Sequence, residues 1–196
     1  MKKIIIALLV LAACGTAVFA GEMKKEGSAG LGYAMPMGDW GDSVGGGIGF
    51  EFGYEGYKIN DMLTVGANLF YTKGTAKDVL GFDYSDISYS TLGITPYVKA
   101  EKELDLGGKK TNLYGIFGLG IYNTSNTSGN VKYGNTVVAT ATSGSSSNIG
   151  INFGGGLMYP LNDKMKVGGE IKYHAIFASD VTVSYLVPAA KFTYSF

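Results

Sequence analysis

Ala190-Lys191-Phe192-Thr193-Tyr194-Ser195-Phe196 reads as one strand with a single apolar face. Phe192, Tyr194 and Phe196 fall at every second position, with Thr193 and Ser195 between them. Successive side chains of an extended chain point to opposite sides, so the three rings share one face. A soluble domain rarely ends on an exposed phenylalanine. A strand whose outer face meets lipid accommodates one, because aromatic side chains gather in girdles at the membrane interfaces.

The other end of the chain points the same way. Met1-Lys2-Lys3 is a short positive segment, residues 4–11 are apolar, and Val18 and Ala20 stand three and one places before Gly21. This is the pattern of a secretory signal peptide cut between Ala20 and Gly21. A membrane anchor is the competing reading, but the apolar run 4–20 sits at the short limit for a span of about 17–25 residues. A third reading keeps Cys14: Leu11-Ala12-Ala13-Cys14 fits a lipobox, which would make Cys14 a lipidated N-terminus. Only a short leader would then precede the cysteine. Cut after Ala20, the remaining chain has no cysteine, which excludes disulfide and thiol chemistry.

Composition narrows the class. No later stretch reaches about 18 consecutive apolar residues, so helical spans are excluded after the signal. The chain holds 31 Gly, 14 Tyr and 10 Phe against only 4 Pro, a content that suits closely packed strands rather than helices. Every basic residue is lysine, and the formal net charge is +0, so no basic face marks a nucleic-acid partner.

Period-2 alternation recurs along the chain between turn signals. Apolar residues occupy alternate positions in 28–35, 47–57, 63–72, 91–100, 112–122, 148–159, 165–177 and 182–196, which makes eight strands. The faces opposite are rich in glycine and poor in charge, unlike the solvated outside of a β-sandwich. The connections 57–61, 101–110 and 161–164 are the shorter set, although 101–110 is not tight, and 36–44, 73–86 and 123–147 are mostly longer, while 178–181 is short as well. Short turns at one end and long loops at the other mark an outer-membrane barrel. The expected fold is all-β: an eight-stranded antiparallel up-and-down transmembrane β-barrel behind a cleaved signal peptide. Its segments are 1–20 as signal, 21–27 as an N-terminal periplasmic piece and 28–196 as barrel.

This register turns Glu51, Glu55, Asn68, Tyr97, Lys99, Tyr114, Asn152, Lys166, Glu170, Lys172, His174 and Lys191 inward. An eight-stranded barrel is just wide enough for side chains to fill it. Unpaired charges inside would be costly, so Glu51, Glu55, Lys99, Lys166, Glu170, Lys172 and Lys191 are expected to form an ionic network. Glu51, Glu170 and Lys191 count to mid-height, and Glu55, Lys99 and Lys166 lie nearer the periplasm. The network either rigidifies the barrel or gates a narrow ion path.

His174 is the only histidine, so no histidine metal cluster forms, and nothing calls for a cofactor. A catalytic histidine needs a nucleophile and an orienting acid, for which Ser184 or Asp180 are the candidates. Outer-membrane lipid-A deacylases carry His-x-Ser on a strand; here Ala175 and Ile176 follow His174, which counts against that enzyme class. Gly45-Gly46-Gly47-Ile48-Gly49 runs into a strand rather than a helix, and Gly107-Gly108-Lys109-Lys110-Thr111 lacks Walker spacing, so neither is a phosphate loop. Loop 123–147 is rich in Ser, Thr, Asn and Gly with one charge, Lys132, and Gly134-Asn135 between two β-prone runs suggests a hairpin above the membrane.

With the signal, the eight strands and the terminal aromatics in hand, residues 28–196 resemble the small eight-stranded outer-membrane proteins of the OmpA/OmpX and opacity type. The resemblance implies that Phe192, Tyr194 and Phe196 serve as an assembly signal for the barrel assembly machinery. It also implies contact with outer-membrane lipid and lipopolysaccharide, and a non-enzymatic role in envelope integrity, surface interaction or adhesion, with loop 123–147 meeting an extracellular partner. The alternatives are a narrow pore or conduit for ions or small hydrophobic molecules, of the OmpW type, and a lipid-modifying enzyme. Mass spectrometry of the exported protein is expected to find Gly21 as N-terminus; a diacylated Cys14 would reverse that assignment.

Overall fold

The computed structural model describes residues 22–105, 107–179 and 181–196. The signal segment, with Cys14, Ala20 and Gly21, lies outside them. Eight strands close a barrel: β1 (Glu22–Met37), β2 (Gly47–Lys58), β3 (Leu63–Thr75), β5 (Ser88–Asp105), β6 (Lys110–Asn126), β9 (Gly144–Pro160), β10 (Met165–Phe177) and β11 (Thr182–Ser195). Each pairs antiparallel with its neighbour along the chain, and β1 pairs with β11 to close the ring, with Leu31 opposite Ala190. The short strands β4 (Phe82–Asp83), β7 (Gly129–Tyr133) and β8 (Thr136–Ala141) form a separate sheet in the order β4-β7-β8. A short helix, α1 (Gly38–Ser43), follows β1.

Lipid selects the pattern. Leu31, Tyr33, Phe50, Phe52, Ile94, Phe117, Phe153, Ile171 and Phe192 point outward and are exposed, while alternate residues of the same strands are buried inside. Closure leaves no backbone edge unpaired in the hydrocarbon, which is why a barrel is the strand solution to crossing a membrane.

One end of the barrel turns tightly. Asn60 Oδ1 accepts from the backbone N–H of Met62 (2.9 Å) and Leu63 (2.8 Å), and Asn162 Oδ1 repeats this with Lys164 (2.9 Å) and Met165 (2.8 Å). Both turns carry Asn-Asp, and the asparagine side chain substitutes for a backbone turn. The opposite end carries α1, the β4 segment and the β7–β8 hairpin.

The strands outrun their hydropathy pattern. β1 already includes residues 22–27, so no separate N-terminal piece precedes the barrel over that stretch. β5 and β6 remain paired from Tyr89–Asn126 down to Asp105–Lys110, well past the alternating segments 91–100 and 112–122. Beyond the membrane water wets both faces, so the Ser, Thr and Asn residues there pair by backbone without alternating.

The lumen divides by height. In the half nearer the long loops, Ala34, Phe70, Tyr122, Ile176, Val183, Tyr185 and Val187 form an apolar plug, with Trp40 of α1 and Val181 packed against it. Glycines make room for its largest ring: a Cβ at Gly93 would collide with the Tyr122 ring, and one at Gly150 would stand 2.9 Å from it. Replacing Gly93 with leucine is expected to overpack this plug, costing about 1–3 kcal/mol. The readout is a lower temperature for the mobility shift of the refolded barrel on gels.

Candidate functional site

Below the apolar plug the lumen is ionic, in two tiers. The tier nearer the tight turns holds Lys24, Lys99 and Lys166 against Glu26, Glu55 and Glu101. Lys99 Nζ lies 2.6 Å from Glu55 Oε1 and 2.7 Å from Glu101 Oε2. Lys24 Nζ reaches Glu55 at 2.8 Å, and Lys166 Nζ reaches Glu26 at 3.1 Å. Asn112 Nδ2 donates to Glu101, and Ser195 Oγ donates to Glu26 Oε2 at 3.2 Å.

The middle tier sets Lys172 and Lys191 against Glu51 and Glu170. Lys172, 1% exposed, binds Glu51 directly and Glu170 Oε1 at 3.0 Å. Lys191 Nζ lies 2.9 Å from Glu170 Oε2. Neutral donors complete the shells: Tyr114 OH to Glu170 at 2.8 Å, Asn68 Nδ2 to Glu51 at 2.5 Å, and Thr95 Oγ1 to Asn68 at 2.9 Å. The Tyr114 ring joins the tiers, with the Lys99 ammonium 5.4 Å and the Lys191 ammonium 5.6 Å from its centroid, within cation–π range.

Each tier is neutral, three lysines to three glutamates below and two to two above. The void between them measures about 10 Å³, room for one water at most. Glu51, Glu55, Lys99, Lys166, Glu170, Lys172 and Lys191 therefore meet in one lumen, split by height. Sequence reading missed Lys24, Glu26 and Glu101, which lie on strand beyond the alternating segments; carrying the same parity outward along β1 and β5 reaches them.

His174 sits in the plug, fully buried and stacked on Phe70 with ring centroids 4.1 Å apart. Tyr122 OH accepts from Asn152 Nδ2 at 3.1 Å and shares a hydrogen bond with His174 Nδ1 at 3.0 Å. Ser184 stands opposite Ala175 and donates to the Met37 carbonyl at 3.0 Å, so it does not serve His174. Asp180 lies outside the described residues. The imidazole is thus packed between the Phe70 and Tyr122 rings.

Loop 123–147 is mostly strand. Its ends extend β6 and β9, and β7 and β8 form the hairpin about Gly134-Asn135. The unanticipated partner is β4, which joins β7 through Phe82–Tyr133 and Asp83–Lys132. Lys132 Nζ lies 2.7 Å from Asp86 Oδ2, and that hydrogen bond and charge raise the lysine above its ordinary value. Asp83 is lowered by its hydrogen bonds from Ser85. The loops after β3 and β6 are thus clamped into one surface unit.

The family model described as outer membrane protein beta-barrel domain matches residues 6–196. Among solved structures, Neisserial surface protein A superposes with a TM-score of 0.55 at 15% identity, covering 88% of this chain and 97% of that one. OprG from Pseudomonas aeruginosa gives a TM-score of 0.56 at 16% identity, covering 90% of this chain and 98% of that one. No curated protein sequence matches the chain. With its lipid-facing belt, closed eight-stranded ring and matching family model, the chain belongs to the outer membrane protein beta-barrel domain family and resides in the bacterial outer membrane.

Proposed function

We propose that this protein is a sealed, non-enzymatic barrel whose working surface is the clamped sheet β4-β7-β8, serving surface contact and envelope integrity. The observation that carries this is the filled lumen among the described residues: two neutral ionic tiers lie beneath an apolar plug, and the void beside Tyr114 holds only about 10 Å³. A channel needs wet, multi-site binding along its length. Here each charge is already satisfied by a partner on another strand. The exposed belt meets outer-membrane lipid and lipopolysaccharide, and the barrel assembly machinery reads Phe192, Tyr194 and Phe196. Phe196 is suited to that role: it stands 72% exposed, held by its N–H to the Lys25 carbonyl at 2.9 Å.

Two outcomes are expected. In a planar bilayer the folded protein gives no discrete conductance steps; regular steps would move the function to transport. Lys172→Met removes the cation shared by Glu51 and Glu170, leaving two buried carboxylates with Lys191. It is expected to cost about 3–5 kcal/mol of stability, read by urea unfolding in detergent micelles. A barrel as stable as the original would show that the middle tier does not hold the fold together.

A further inference from the structure

Between β3 and β4 the chain makes a turn that folding alone does not favour. Val79 and Phe82 exchange both backbone hydrogen bonds, at 3.2 and 2.9 Å, around Leu80-Gly81. Both central residues have positive φ, 53° for Leu80 and 82° for Gly81, as in a type I′ turn. That turn prefers Asn-Gly, because asparagine and glycine tolerate a left-handed backbone and leucine does not. Leu80 is the one non-glycine residue of positive φ among the described residues. It is also 90% exposed, more than any other large apolar side chain described. One position thus carries a backbone cost and a solvation cost together, and such strain gathers where a chain makes contact.

The turn is supported and two-faced. Directly opposite residues share a face, so the bridge Val79–Phe82 and the pair Phe82–Tyr133 put all three on one side. The Phe82 and Tyr133 rings lie 5.3 Å apart, and a Cβ at Gly81 would stand 3.4 Å from the Tyr133 ring. Val79 and Tyr133 are exposed beside Leu80. The next residues out, Asp78 and Asp83, turn to the other side. They accept from the backbone N–H of Tyr84 (3.1 Å) and Ser85 (2.8 Å). Lys132 is held by Asp86, and Lys77 donates to the Gly41 carbonyl of α1, so Asp78 and Asp83 have no ion pair among the described residues. The β7–β8 ladder runs from Gly129–Ala141, near the barrel's last pair Asn126–Gly144, to Tyr133–Thr136. Pairing with Tyr133 therefore sets the turn at the end of the sheet away from the barrel.

We propose that this turn is a lipid anchor for a facing membrane of choline lipids: Leu80, Val79 and Tyr133 enter the bilayer, and Asp78 and Asp83 stay among its headgroups. This rests on the surface-contact reading above and names its partner. A convex apolar tip needs no fitted cavity to enter acyl chains, and tyrosine suits the boundary between them and water. Charge selects the lipid. Phosphatidylcholine carries its quaternary ammonium outermost, where carboxylates and aromatic faces both attract it. Anionic headgroups, including those of the barrel's own outer leaflet, repel the same carboxylates, and so does a second copy of the turn. One tip is a small contact, so lasting attachment draws on many copies in one membrane.

The test uses the full barrel in phosphatidylglycerol nanodiscs, floated with liposomes and compared with empty discs. Wild-type discs are expected to float with phosphatidylcholine liposomes. Leu80→Asn suits the turn better, so its heat-dependent gel shift should come at an equal or higher temperature, while flotation falls about tenfold. Leu80→Met is expected to float as wild type. Phosphatidylserine liposomes should capture less wild type than phosphatidylcholine ones. Asp78→Asn with Asp83→Asn keeps oxygens for the same backbone donors and should remove that preference. Equal flotation of wild type and Leu80→Asn, or stronger flotation of wild type with phosphatidylserine, would overturn the proposal. Wild-type discs that ignore liposomes but bind immobilised collagen would overturn the lipid anchor alone; discs that bind neither would overturn the surface-contact reading as well.

Discussion

An ammonium group moved from water into a low-dielectric interior costs several kcal/mol, and a carboxylate costs as much, unless opposite charge and hydrogen bonds surround it. This barrel carries five lysines and five glutamates inward and meets that cost by alternating their signs across the lumen. Some of the pairings run between strands that are not neighbours: Lys172 on β10 reaches Glu51 on β2, and Lys166 on β10 reaches Glu26 on β1. Such cross-lumen bonds depend on the strands' relative height, so they oppose slippage of register all round the ring.

The two ends of the lumen solve the filling problem differently. Toward the long loops the interior is mainly aromatic and aliphatic, with Phe70 and Tyr122 packed against His174 and Ile176 and Tyr185 in the same cluster. Toward the periplasm it is polar, and Lys24 and Lys166 keep side chains partly open to solvent. Water can thus share the solvation of the tier nearer the turns, the middle tier relies on its own partners, and apolar bulk sits beneath α1 and Trp40. The arrangement favours a wall over a passage, and it places chemical variety on the loops outside.

Sequence made the membrane-embedded part of the fold legible, because lipid on one side and a narrow lumen on the other impose strict alternation. It is less informative above the bilayer. Ser88, Ser90, Thr124 and Ser145 are strand residues without a hydropathy signature, and β4 is too short to leave one. For the lumen, parity indicates which residues face inward but not which ones touch. The Glu51–Lys172 contact follows from barrel closure and relative strand height, quantities no single strand encodes. Tyr122 and His174 likewise become a unit only when β6, β9 and β10 stand side by side.

One seam of the ring differs from the others. Every other ladder joins strands that follow one another around the chain, whereas β1 and β11 meet across its whole described length. The entropy of loop closure falls mainly on that single ladder. Until it zips, the molecule is an open sheet with two bare margins, both prone to pairing with strangers.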